Sequence, residues 1–240
     1  MCHRGGMRVT GVDACRRGWV AVSLAGPSPG RTAPGRTAPD RVRVDGVRVA
    51  ESLAEVLEGT GAGVVGIDMP LGLLESGWRE ADRAARGLLG PRRSSVFAIP
   101  PRAVWAQASY QAANQRCREL TGQGFSIQAW GLRARLLEAD RYRRTCAHPL
   151  YEVHPELAFS AMAGAPLAHS KHTAAGQDLR RELLGRAGLT VPRIRLAPVT
   201  DTLDAAAVAC SAWRIATGRA VVVPARPQRD DRGLPIAIRY

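Results

Sequence analysis

Two short apolar runs, each closed by an aspartate, constrain this chain more than any other feature. The first, Met7 to Asp13, reads MRVTGVD, and the second, Gly63 to Asp68, reads GVVGID. The second run is apolar without interruption, as a strand is when both of its faces are buried. The first is followed by a basic turn and a new β-rich run from Gly18 to Leu24. Val, Thr and Trp favour extended backbone, and Gly among charged residues favours the turn, so 7–24 predicts a hairpin. A single aspartate beside a turn is ordinary, because Asp bonds its own backbone there. Two strands that end alike are a stronger signal.

The rest of the chain supplies what lies between and after them. Residues 26–40 repeat GRTAP, at 30–34 and 35–39, among Pro, Gly, Ser and Thr. With so little to bury, the segment reads as a flexible Gly/Pro loop. Arg41 to Ala50 alternates Val with polar residues, the pattern of a half-exposed strand. A short amphipathic helix is expected over Glu51 to Glu58. The opening therefore reads strand, strand, strand, helix, strand. Further helices are expected at 79–89, 102–120, 126–143, 174–187 and 202–217, the last entered through Asp201 as its cap. Pro91 to Pro101 reads as a loop, Leu150 to Val153 as a strand, and Ala220 to Val223 as a further strand.

Residues of the apolar class make up 45% of the 240, enough for a sizeable core in one domain spanning 1–240. The longest apolar run, Gly63 to Leu74, is broken by Asp68 and Pro70 and is too short to span a bilayer. The first residues lack the apolar stretch of a signal peptide. Cysteines 2, 15, 117, 146 and 210 are scattered and form no CxxC pair. This favours free thiols and a cytoplasmic setting over a disulfide frame. A formal charge of +13 calls for an anionic partner, with nucleic acid the first choice. Lys171 is the sole lysine, so an arginine-rich coding bias accounts for part of that charge.

A right-handed crossover through the first helix lays the fourth strand parallel to the first. Neighbouring strands lie about 4.8 Å apart, so Asp13 and Asp68 would meet at one sheet edge, where ligands of open α/β sheets gather. Glu152, ending a later strand, fits the same edge. Asp201 and Asp204 sit three apart in the first turn of the last helix and share a face. Clustered carboxylates repel unless protonated or metal-bound, and an all-oxygen set prefers Mg²⁺ or Mn²⁺. A pair of such ions promotes phosphodiester cleavage.

The segments GVDACRRGW, GIDMPLGL, RRSSVFAIP, YEVHPE, HSKHTAAG and DTLDAAAVA, in this order, resemble the bacterial family called domain of unknown function 429. Its members are described as predicted RNase H-like nucleases. The resemblance covers roughly residues 7 to 240 apart from the GRTAP loop. It implies an α/β, RNase H-like mixed sheet flanked by helices: three antiparallel strands, a helix, then parallel strands beside the first. The long helical segment at about 77–143 departs from the ribonuclease H pattern as an insertion after strand four. The implied metal-binding and catalytic acids are Asp13, Asp68 and Asp204, with Asp201 as its substitute and Glu152 as the fourth.

Each of these residues also has an ordinary reading. Asp13 and Asp68 can serve turns, Glu152 can point outward from an edge strand, and Glu156 can answer a helix N-terminus. His154 either orients a carboxylate or caps the next helix. His169 and His172 lack further nearby ligands for zinc. Lys171, just before a helix start, suits a substrate phosphate. Arg79, Arg83 and Arg93 are further candidates for phosphate contact, against a solvated face paired with Glu80 and Asp82. Trp105 and Trp130 read as core. The leading function is a metal-dependent nuclease. The alternatives are a non-catalytic nucleic-acid or protein-binding module and, last, a nucleotide-binding enzyme, since GVDACRRGW loosely resembles a phosphate-binding turn.

Overall fold

The structure, a computed structural model, describes residues 6–28, 42–146 and 148–240. The GRTAP repeat lies outside the described residues. Strands β1 (Met7–Cys15) and β2 (Gly18–Gly26) form the expected antiparallel hairpin, with Asp13 opposite Val20. Strand β3 (Arg43–Ala50) pairs antiparallel with β2 and is largely solvent-facing, as its alternation predicts. The short helix α1 (Leu53–Leu57) opens with a capping box between Ser52 and Glu55. It delivers β4 (Val64–Ile67), which runs parallel to β1 with Ile67 level with Val12. The Asp68 amide continues that ladder, donating to the Val12 carbonyl at 2.8 Å.

Between β4 and the next strand the chain forms α2 (Glu80–Leu89), a 3₁₀ helix (Gly90–Ser95), α3 (Arg102–Trp105), α4 (Tyr110–Thr121), α5 (Ile127–Gly131) and α6 (Arg133–Thr145). Two departures from expectation stand out here. The supposed loop at 91–101 begins as a 3₁₀ helix, and the two long helices are four shorter ones. Ser109 caps α4 by accepting an amide hydrogen bond, which resets the backbone at the first break, while the second falls at Leu132, which ends α5 and starts α6 with no side-chain cap. Trp105 and Trp130 stack at 6.2 Å within this region, as core.

Strand β5 (Leu150–Val153) is parallel to β4, and Glu152 is level with Ile67. Then come α7 (Pro155–Ala163), α8 (Ala174–Arg186) and α9 (Val199–Ala216). The tail adds a hairpin that the sequence reading caught only in its first residues: β6 (Val222–Arg229) pairs with β7 (Pro235–Arg239), which runs parallel to β5. The sheet order is β3-β2-β1-β4-β5-β7-β6. Its first five strands have the RNase H-like arrangement: an antiparallel trio, then parallel neighbours of the first strand. No helix among the described residues is long and apolar enough to cross a membrane.

The period of two divides β1, β2 and β4 between two cores, while a third, smaller cluster joins α2, Leu157 of α7 and Ile236 and Ile238 of β7. Val12, Val65 and Ile67 face the inserted helices, with Trp105 and Leu136 beyond them. Val9, Val20 and Val22 face the other way, toward Phe159 of α7 and the alanines of α9. Gly11 belongs to that second face, where the helix lies against the strand backbone. A Cβ at Gly11 would fall 2.1 Å from the Ala209 nitrogen and 2.3 Å from the Ala205 carbonyl oxygen. Helix α9 can come so close because Ala205, Ala206, Ala209 and Ala212, good helix formers with minimal side chains, are buried along it.

Candidate functional site

The alternation that turns Gly11 toward α9 turns Asp13 the same way. One strand over, Gly66 also abuts α9, its would-be Cβ only 3.0 Å from a Val208 methyl, and Asp68 follows two residues later. Both aspartates therefore leave the sheet on the α9 side, at the C-terminal ends of adjacent parallel strands. Helix α9 runs antiparallel to β1, so its first turns return to that edge and present Asp204. Asp13 is 7% and Asp204 1% exposed. With Asp201, Glu152, Glu156, His154 and Lys171 they line one cavity of about 530 Å³.

Burial, and then the charges of Asp68 and Asp204, hold the Asp13 carboxyl well above the ordinary carboxylate range. Asp68 is pushed up to about 7, chiefly by burial, with Lys171 opposing the shift. Asp204 reaches about 6 by burial, again held down by Lys171. The counter-ion is thus the lone lysine. Its Nζ lies 2.5 Å from Asp204 Oδ2, while Asp204 Oδ1 is buried with no partner. Burial disfavours the ammonium, but Asp204 first, then Asp13 and Asp68, more than compensate and raise its pKa. The expectation of Lys171 as a phosphate contact is revised accordingly: its resting partner is a carboxylate.

Asp201 does not cap α9. Pro198 holds the N-cap position, its carbonyl accepting from the Thr202 amide at 3.1 Å and hydroxyl at 3.0 Å. Asp201 sits inside the first turn, accepts from Thr200 Oγ1 at 2.9 Å and stands at the cavity rim.

Glu152 reaches the cavity but from the opposite face. Its register with Ile67 aims it at the inserted helices, where Oε1 accepts from Arg79 Nη2 at 2.7 Å and Oε2 from the Leu71 amide at 2.7 Å. It is therefore not free to join the aspartates as a fourth ligand. Arg79, expected at substrate phosphate, is 1% exposed and locked between Glu152 and Asp82, whose Oδ1 is 3.5 Å from Arg79 Nε. Burial and these two acids act on it in opposite directions, and the acids prevail, so the guanidinium stays charged. Asp82, which the sequence reading treated only as a surface partner, is buried, lifted to about 7 by that burial, and accepts from the Ile99 amide at 2.9 Å. Arg83 is exposed on a surface pair with Glu80. Neither Arg83 nor Arg93 lines the cavity. Arg92 does, and its guanidinium donates to the Leu167 and Ala168 carbonyls at 2.9 Å.

Glu156 and Arg180 form a second pair on the α9 side, their side chains in contact through Oε1. Arg180 is fully buried and also donates to the Gly176 and His169 carbonyls, at 2.9 and 3.3 Å. This pins the loop carrying Lys171 to α8. The same loop crosses Gly176 so closely that a Cβ there would sit 1.9 Å from the Ser170 carbonyl oxygen. Nothing in the sequence marks Arg180, one arginine among many, as the anchor. His154 holds the N-cap position of α7, its carbonyl accepting from the Ala158 amide at 3.1 Å, but its side chain makes no capping hydrogen bond. Its Nε2 lies 3.1 Å from the Ser95 carbonyl, and burial lowers its pKa, keeping the ring neutral.

Among the described residues, no three His, Cys, Asp or Glu side chains converge closely enough to hold a metal ion as they stand. The donor set nevertheless suits a hard cation. The inner carboxylates of Asp13, Asp68 and Asp204 face one ammonium, and one buried oxygen of Asp204 has no partner.

No curated protein matches the chain. Among solved structures, Thermus thermophilus RuvC is similar over 88% of this chain and 97% of that one, at 16% identity and a TM-score of 0.37. A likeness of that size bears on neither chemistry nor substrate. The match to a family is direct: over residues 11–229 the chain fits, and so belongs to, the family described as Protein of unknown function (DUF429).

Proposed function

We propose that this chain is a divalent-cation-dependent phosphodiesterase acting on nucleic acid. The observation that carries the reading is the meeting of Asp13, Asp68 and Asp204, from two parallel strands and a helix start, around an oxygen with no partner. Buried carboxylates in such a cluster must take up protons or a cation. Asp13, Asp68 and Asp204 would hold Mg²⁺ or Mn²⁺, with Asp201 at the rim. When bound, the cation supplies Lewis acidity, lowering the pKa of water and offsetting charge on phosphoryl oxygens. Glu152, through Arg79 and the Leu71 amide, fixes the turn after Asp68. Arg180 fixes the Lys171 loop. The net charge of +13 supports a polyanionic substrate.

The test is purified protein with labelled DNA, RNA, hybrid and branched substrates, in Mn²⁺ or EDTA, beside Asp13→Asn. Cleavage that requires Mn²⁺ and is lost in the variant is the expected result. Salt-sensitive binding with no cleavage of any substrate would leave a non-catalytic binding module instead.

A further inference from the structure

Resting on that reading, we propose that the cavity takes one divalent cation rather than two, because the ammonium of Lys171 is the second positive charge of the site. A chain that uses arginine everywhere else has placed its only lysine here. The exchange is chemically meaningful. A guanidinium is a broad planar fork, whereas an ammonium is a compact point charge, closer in size to a bare cation. Lys171 Nζ rests 2.5 Å from Asp204 Oδ2, two-thirds covered and held by the loop that Arg180 anchors.

The charges point the same way. Asp13, Asp68 and Asp204 carry three negative charges and Lys171 returns one, while Glu156 is matched by Arg180. Within this inner group two negative charges remain, which one divalent ion neutralises; Asp201 at the rim and the Glu152–Arg79–Asp82 group on the other face lie outside that count. Space points there too. The Lys171 side covers Asp204 Oδ2, so the open donors beside that ammonium are the bare Asp204 Oδ1, itself nine-tenths or more buried, and the carboxylates of Asp13 and Asp68, with Glu156 Oε2 further along the cavity. A second ion sharing Asp204 would have to displace the ammonium from Oδ2.

The experiment is calorimetric titration of MnCl₂ into the full-length chain at pH 8, repeated with Lys171→Met and Asp68→Asn. The expected result is one Mn²⁺ per chain in the native protein, two in Lys171→Met, and loss of binding in Asp68→Asn. Two ions per native chain, or one in a folded Lys171→Met, overturns the one-ion proposal and leaves the cation site standing. No binding to the native chain, or binding unchanged in Asp68→Asn, overturns the cation site itself. Circular dichroism establishes that each variant is folded. Should Lys171→Met not fold, the native stoichiometry alone decides.

Discussion

At the scale of single residues, the site is a place where the fold tolerates charge it would be more stable without. Asp68 is lifted to about 7 and Asp204 to about 6, mainly by burial. Their unfolded values lie near 3.9. The native state therefore holds more protons than the unfolded chain between those limits, and stability falls as pH rises through them. Without divalent cations, the thermal midpoint should be higher at pH 5 than at pH 8, and Mn²⁺ should close the gap at pH 8. A scan showing equal midpoints would contradict the burial of these acids. By the same reasoning Asp68→Asn, which removes a repelled carboxylate, should stabilise the cation-free protein at pH 8 by on the order of 1 kcal/mol, read by urea denaturation. Glu152→Ala should do the reverse. It leaves the Arg79 guanidinium, which is 1% exposed, with Asp82 as its one remaining acid, at a cost of about 3 kcal/mol. Opposite signs at two acids of one cavity separate the cation ligands from the structural pair.

At the scale of elements, the distance between β1 and α9 sets the distance between Asp13 and Asp204. Gly11 and the α9 alanines fix that spacing through backbone contact. Gly11→Ala should cost about 1–3 kcal/mol and weaken Mn²⁺ binding, though it alters no ligand. A variant as unstable as expected but with native Mn²⁺ affinity would show that α9 does not govern the site. The same scale explains what the sequence could and could not disclose. GVD and GID announce two buried strands ending in acids, and their parallel pairing follows from the crossover. Glu152 looked equivalent because it too ends a strand. Its face depends on the register between β4 and β5, where Ile67 is level with Glu152, and a single strand of four residues carries no mark of its register. The β6–β7 hairpin was partly hidden because Pro224 and Pro227 interrupt a strand pattern. Lys171 and Arg180 lie far from their carboxylate partners along the chain, so their pairing is legible only once α7, α8 and α9 are assembled.

At the scale of the molecule, a seven-stranded sheet separates two kinds of work. The inserted helices α3 to α6 cover one face, and α6 is tied back to the hairpin by Glu138, which accepts from Trp19 Nε1 at 3.0 Å and the Leu53 amide at 2.6 Å. The other face, under α7, α8 and α9, carries the acids to the C-terminal edge of the parallel strands. The chain as a whole carries a formal net charge of +13, so on the proposed reading its binding to nucleic acid should weaken steeply as salt rises. Fluorescence anisotropy at two ionic strengths reads that directly, and salt-independent binding would contradict a backbone contact. The central claim is that three aspartates distant in sequence form one cation pocket. The most direct measurement is an anomalous difference map from a crystal soaked in MnCl₂. A manganese peak bounded by Asp13, Asp68 and Asp204 is the predicted result, and a well-diffracting soaked crystal with manganese only elsewhere, or none at those three side chains, would contradict it.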